Sequence, residues 1–197
     1  WKEMEINVNG KKIRLSLINA SWMSTIHEKP GNLVYPISNY AETLRQNCDF
    51  RFTFVHHPLN WYCQQTYHEF RRSILASSSV VFSGHEHVNT TSSVSSLDSN
   101  NTILIESYAL QPHSTEGSGF SVVSIDLAET KVCQRSYTLI DNKYLLEPEK
   151  DHSLEICTIR EDDSLTKEFV NILQDPGAKL VHPDKAEINF LDIYVNP

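Results

Sequence analysis

A chain of 197 residues with 40% hydrophobic and 21% charged side chains has the size and balance to bury one core, which excludes wholesale disorder and repetitive fibrous structure. Its formal charge of −8 and pI near 5.5 leave no basic stripe of the kind that neutralises a nucleic-acid backbone, so any affinity for phosphate has to be local. Cys48, Cys63, Cys133 and Cys157 form no CxxC pair, which argues against a zinc ribbon or disulfide framework and for a reducing, cytoplasmic setting. No apolar run reaches the roughly 18 residues that span a bilayer, and the opening Trp-Lys-Glu-Met-Glu lacks the parts of a signal peptide, so no membrane partner is expected.

The first elements alternate apolar and polar residues on both sides of Asn9-Gly10, the signal of a β-hairpin whose tight turn needs positive φ at both central positions. The stretch from Pro36 to Cys48 predicts a helix with Ser38 as N-cap and Tyr40, Leu44 and Cys48 on one face. Arg51 to His56 reads as a buried strand stopped at His56-His57-Pro58. Trp61 to Ala76 is the clearest helix, with Cys63, Tyr67, Phe70 and Ile74 forming an apolar stripe. Ser79 to Phe82 then predicts a short buried strand running into Gly84-His85-Glu86-His87, the order of an α/β unit with its chemistry at the carboxyl end of the strands. Four strand-like runs follow, from Val88, Thr102, Gly119 and Lys131, and their spacing predicts a meander. Beyond Pro148 the composition turns acidic and mixed, with a short amphipathic helix over Ser164 to Leu173.

His56, His57, His85 and His87 all fall at predicted strand ends, in two pairs separated by one helix. Neighbouring strand ends lie about 5 Å apart, so these imidazoles can converge above the sheet edge, where neutral nitrogen ligands suit a divalent metal ion. An isolated His-x-His recurs by chance in many chains. The weight lies in the conjunction of two apolar strands, each ending in histidines, with a glycine where the backbone is expected to turn.

The segments Phe54-Val55-His56-His57-Pro58-Leu59 and Val81-Phe82-Ser83-Gly84-His85-Glu86-His87 resemble the last two metal-binding motifs of the calcineurin-like metallophosphoesterases, and the likeness covers roughly residues 1–145. It implies an α/β fold, a four-layer αββα sandwich of which the C-terminal half is present, holding two divalent metal ions (Mn, Zn or Fe) and hydrolysing phosphoesters. It places His56 and His85 on the second metal and His87 on the first. His57 becomes the catalytic neighbour that orients groups or touches substrate.

The family's earlier motifs, Asp-x-His, Gly-Asp and Gly-Asn-His followed by an acid, are absent, and Gly31-Asn32 is followed by Leu33. Three histidines are too few to fill the shells of two ions, which predicts negligible turnover for this chain alone. Because the sequence opens on Trp1, the expectation is that an N-terminal portion carries the missing ligands. The competing expectation is a catalytically inactive scaffold or interaction module in a larger assembly; a partner chain could also complete the site. Residues 1–147 then form the C-terminal part of the phosphoesterase domain, and 148–197 a connector leading to a further domain. The segments Leu173 to Ala178 and Ile188 to Val195 are similar to the connector after such a module in large bacterial proteins of antiphage signalling. The expected function is that of a phosphodiesterase or nuclease with a phosphoester substrate, a nucleotide or nucleic acid.

Overall fold

The computed structural model describes residues 1–96, 99–110 and 118–156. The hairpin forms as the Asn-Gly pair requires: strands β1 (Lys2–Val8) and β2 (Lys11–Ile18) pair antiparallel across a turn in which Asn9 and Gly10 have φ of 52° and 77°. Strands β3 (Phe50–Val55) and β4 (Val80–Ser83) add to β2 in parallel, joined by helix α2 (Gln64–Ser77). The chain then makes the edge hairpin β5 (Thr90–Ser96) and β6 (Ser99–Glu106), with β6 parallel to β4, so the large sheet runs β1-β2-β3-β4-β6-β5.

The expected meander is divided between two sheets. Strands β7 (Gly119–Asp126), β8 (Lys131–Ile140), β9 (Lys143–Leu146) and β10 (Lys150–Ser153) make a second, antiparallel sheet around β8. The division follows from burial: β6 presents Ile103 and Ile105 on one face and Leu104 on the other, so it needs cover on both, whereas β7 and β8 bury a single face. Strand β10 and Leu154, 4% exposed and seated between the sheets, carry the packed body past residue 147. The expected helix from Ser164 and the connector-like segments to Val195 lie outside the described residues.

Period-two alternation sorts the side chains of the large sheet. Ile18, Val55 and Val81 face α2, where they pack with Phe70 and Ile74 and with Leu33 and Tyr35 of a covering loop. Ile13, Phe50, Phe52, Val80 and Ile103 face the small sheet and meet Val132 and Val123. The architecture is mixed α/β in three layers; the fourth, expected outside the small sheet, has no counterpart among the described residues. Among those residues no helix is long and apolar enough to cross a membrane.

The helix expected over 36–48 is cut short. A 3-10 turn (Ile37–Tyr40) leads into a single α turn, α1 (Ala41–Leu44), and no side chain caps either start. Its last carbonyls are diverted instead: the buried Arg51 guanidinium of β3 donates to Thr43 O, Leu44 O and Gln46 O at 3.1, 3.3 and 3.1 Å. The second helix also starts later than expected, because Leu59–Trp61 forms its own 3-10 turn and Cys63 is the N-cap.

Candidate metal centre

Register brings the histidines together. Phe54 pairs with Phe82, and the ladder continues one step beyond the named strands through Gly84 N–H donating to His56 O at 3.0 Å. His56 and His85 therefore leave adjacent strands side by side, with His56 Nε2 3.2 Å from His85 Nδ1. The His57 ring lies 4.3 Å from that of His85 and 4.7 Å from that of His56. One ring nitrogen from each of His56, His57 and His85 falls within a 4.8 Å set that could hold a metal ion.

His87 is outside that set, although its charge acts on His56. The turn carrying it is unusual. Glu86 N–H donates back to Gly84 O at 2.9 Å, closing a three-residue turn with His85 at φ 71°, and His87 follows at φ 55°. The sharp bend expected at the glycine is thus made by the two histidines: Gly84 is not in the left-handed region, and a Cβ there would make ordinary 3.8–3.9 Å contacts with His56. Left-handed φ in a non-glycine residue is costly and clusters at functional sites.

Two residues that the pattern of histidines does not reveal complete the surroundings. Glu28 accepts a hydrogen bond from His57 Nε2 at 2.9 Å, and both side chains are nearly buried, 2% exposed for His57 and 9% for Glu28. The loop holding Glu28 is tied down by Gly31 N–H and Leu33 N–H donating to Trp61 O and by Cys63 N–H donating to Leu33 O. Trp61 stands edge-on to His85 at 4.1 Å, and its Nε1–H donates to Glu86 at 2.7 Å, so one indole both walls the cluster and anchors the turn. No local signal marks Glu28, which reaches His57 across 29 residues of sequence.

Burial pushes the His56 imidazole below its ordinary pKa, helped by the neighbouring charges of His85 and His87. His57 is depressed in the same way, first by burial and then by His85, with Glu28 opposing. Both rings are thereby kept neutral near pH 7, the form in which imidazole binds a metal. His57 Nδ1 is buried with no hydrogen-bond partner. Beside His56 opens a cleft of about 540 Å³ lined by Trp1, Leu17, Phe54, Phe82 and Ser83; the Phe54 and Phe82 rings stack at 4.8 Å on its floor.

No protein-family model matches the sequence, and no curated protein matches it. Among solved structures the chain is similar to a double mutant of Vps29 from Entamoeba histolytica at 15% identity, over 77% of this chain and 61% of that one, with a TM-score of 0.37. Wild-type Vps29 of the same organism, solved in complex with Zn2+, aligns at 14% identity over 76% and 60% with a TM-score of 0.35. A hypothetical protein from Thermus thermophilus aligns at 12% identity over 78% and 62%, TM-score 0.39. The chain thus spans about three fifths of the length of these proteins.

Proposed function

We propose that this chain is part of a metal-dependent phosphoester hydrolase, a phosphodiesterase or nuclease with a dinuclear centre, whose complete form has the αββα layering of the calcineurin-like family. The observation that carries the reading is the 3.2 Å approach of His56 Nε2 to His85 Nδ1 at the carboxyl ends of two parallel strands. His56 and His85 would hold one divalent ion, Mn, Zn or Fe, and His87 would be the first ligand of a second. The surroundings fit an ion of this kind, since burial holds the His56 and His57 imidazoles below their ordinary pKa and the buried His57 Nδ1 is left without a partner. An ion held there by His56 and His85 would supply Lewis-acid chemistry toward a phosphoryl group and its attacking water. The chain's own part is to hold the rings at fixed spacing and, through the Phe54–Phe82 floor beside His56, to seat the organic portion of a nucleotide or nucleic-acid phosphoester. The remaining ligands come from a portion of the protein beyond this sequence, and a cytoplasmic setting, with antiphage signalling as context, belongs to the same reading.

One observation favours a second reading. Among the described residues no carboxylate joins the three-histidine set, which suits an inactive metal-binding scaffold. Hydrolysis of bis(p-nitrophenyl) phosphate with Mn2+ by the intact protein, beside its His85→Ala variant, separates the two. A rate that falls at least 100-fold in the variant supports the hydrolase. Equal rates, or none in either protein, leave the scaffold.

A further inference from the structure

We infer that His57 is itself a metal ligand, through Nδ1 and oriented by Glu28, so that His56, His57 and His85 form a three-imidazole site for one tetrahedral d-block ion, zinc above all. The inference rests on the proposed metal centre but gives His57 a different part from the substrate-side role its position after His56 suggests.

Distance comes first. Two nitrogen ligands on a tetrahedral zinc, each at about 2.0–2.1 Å, stand about 3.3 Å apart. The 3.2 Å between His56 Nε2 and His85 Nδ1 is that edge, and His57 offers a nitrogen within 4.8 Å of both, so its ring has to close by up to about 1.5 Å when the ion enters. A hydrogen bond between two imidazoles also spans this distance, and that simpler account would suffice if His57 were satisfied. It is not. The His57 side chain is 2% exposed, its Nε2 is engaged by the Glu28 carboxylate at 2.9 Å, and its Nδ1 is buried with no partner. A carboxylate acceptor keeps the proton on Nε2, which leaves a lone pair on Nδ1. Buried polar atoms are almost always paired, so this lone pair is the feature that the hydrogen-bonded account leaves unexplained. A carboxylate that fixes the tautomer of a histidine whose other nitrogen binds metal is the usual outer arrangement of zinc sites.

The donor set also selects the ion. Three neutral imidazoles with no carboxylate suit zinc, cobalt or copper and do not suit magnesium or calcium, which take oxygen shells. Three protein ligands leave a fourth position open, the arrangement of catalytic rather than structural zinc. The tie of the Glu28 loop to Trp61 and Cys63 makes the third ligand part of the framework.

The test uses the 197-residue chain labelled with 15N-histidine and titrated with Zn2+ alone. Calorimetry should give one site, and long-range 1H–15N correlation should move His57 Nδ1 from a free to a metal-bound position while Nε2 stays protonated. Glu28→Gln, which keeps shape and a hydrogen-bond acceptor, should weaken zinc about 10- to 100-fold with unchanged far-UV circular dichroism. A His57 Nδ1 signal that stays put at zinc saturation, or metal on Nε2, overturns the assignment whether or not the protein hydrolyses phosphodiesters. Conversely, zinc bound on Nδ1 in an intact protein that hydrolyses nothing ends the hydrolase reading and leaves this site standing.

Discussion

Strand β3 carries a buried polar group near each end, and the two are treated differently. Arg51, 0% exposed, donates through one terminal nitrogen to the Glu3 carboxylate and Ser16 Oγ, and through the other to three carbonyls at the end of α1; its Nε alone has no partner. His57, two residues beyond the other end and 1% exposed, has one partner, Glu28. A buried charge tied on most sides serves the fold, because removing it strands every group it satisfied. A buried imidazole tied on one side and lacking a partner on the other is a cost to the fold that a ligand can relieve. The difference sets the carboxyl end of the parallel strands apart as a place where a ligand would relieve a cost to the fold, and it can be broken experimentally.

The largest effect is expected at the satisfied end. Arg51→Met strands Glu3 and the α1 carbonyls and should cost about 3–5 kcal/mol of unfolding free energy, read from urea denaturation at pH 7.5. A loss below about 1 kcal/mol would show that the network is decoration. At the other end stability should be gained from outside: Zn2+ at 100 times its dissociation constant should add about 2.7 kcal/mol. Thermal unfolding checks this, and a His56→Ala/His85→Ala chain should show no zinc-dependent shift.

Protons should sharpen the same contrast by a smaller amount. The folded-state pKa values of His56 and His57 lie below the ordinary 6.5, so between that value and the lower native ones the unfolded chain binds more protons. Stability is then lost as pH falls below about 6.5 and is unaffected above it. Glu147 is opposite in type, a carboxylate held down mainly by its hydrogen bond from Thr138, and its contribution is lost only as pH falls below the ordinary 4.5. Urea midpoints of the metal-free chain should therefore drop between pH 7.5 and 5.5, and less so in His57→Gln. Equal slopes in the two proteins would place the titration elsewhere.

What could be read without coordinates divides along the same line. The Asn9-Gly10 hairpin and the parallel β3-α2-β4 unit were legible because each rests on local chemistry, turn φ and apolar period; of the four histidines expected to converge, strand ends one register step apart bring His56, His57 and His85 into one set, while His87, expected as a ligand, lies outside it. What stayed hidden is non-local. The expected helix over 36–48 is ended by Arg51, Glu28 comes to His57 from a loop without periodicity, and the separation of β5–β6 from β7–β8 depends on which faces find cover. Strand β9 was missed although Asp141 and Asn142, at φ 48° and 60°, make the same left-handed turn as Asn9-Gly10; side-chain amides and carboxylates tolerate that region, but without glycine the signal is faint.

The smallest expected effect concerns the backbone that aims the histidines. His87 is exposed and held at φ 55°, a conformation that costs a residue with a Cβ roughly 1–2 kcal/mol. Glycine removes that cost but adds freedom to the unfolded chain worth about 0.4–1 kcal/mol and gives up the interactions of the ring, so His87→Gly should leave the metal-free chain unchanged within about 0.5 kcal/mol. Gly84→Ala should be neutral within about 0.5 kcal/mol, since its Cβ meets only ordinary contacts and its φ is not left-handed. Urea midpoints in chelator measure both. Near-equality of histidine and glycine at 87 would leave binding, rather than folding, as the reason for a ring on a left-handed residue. Destabilisation of the metal-free chain by His87→Gly would instead mean that the imidazole holds the turn together, and the case for it as a ligand in waiting would go.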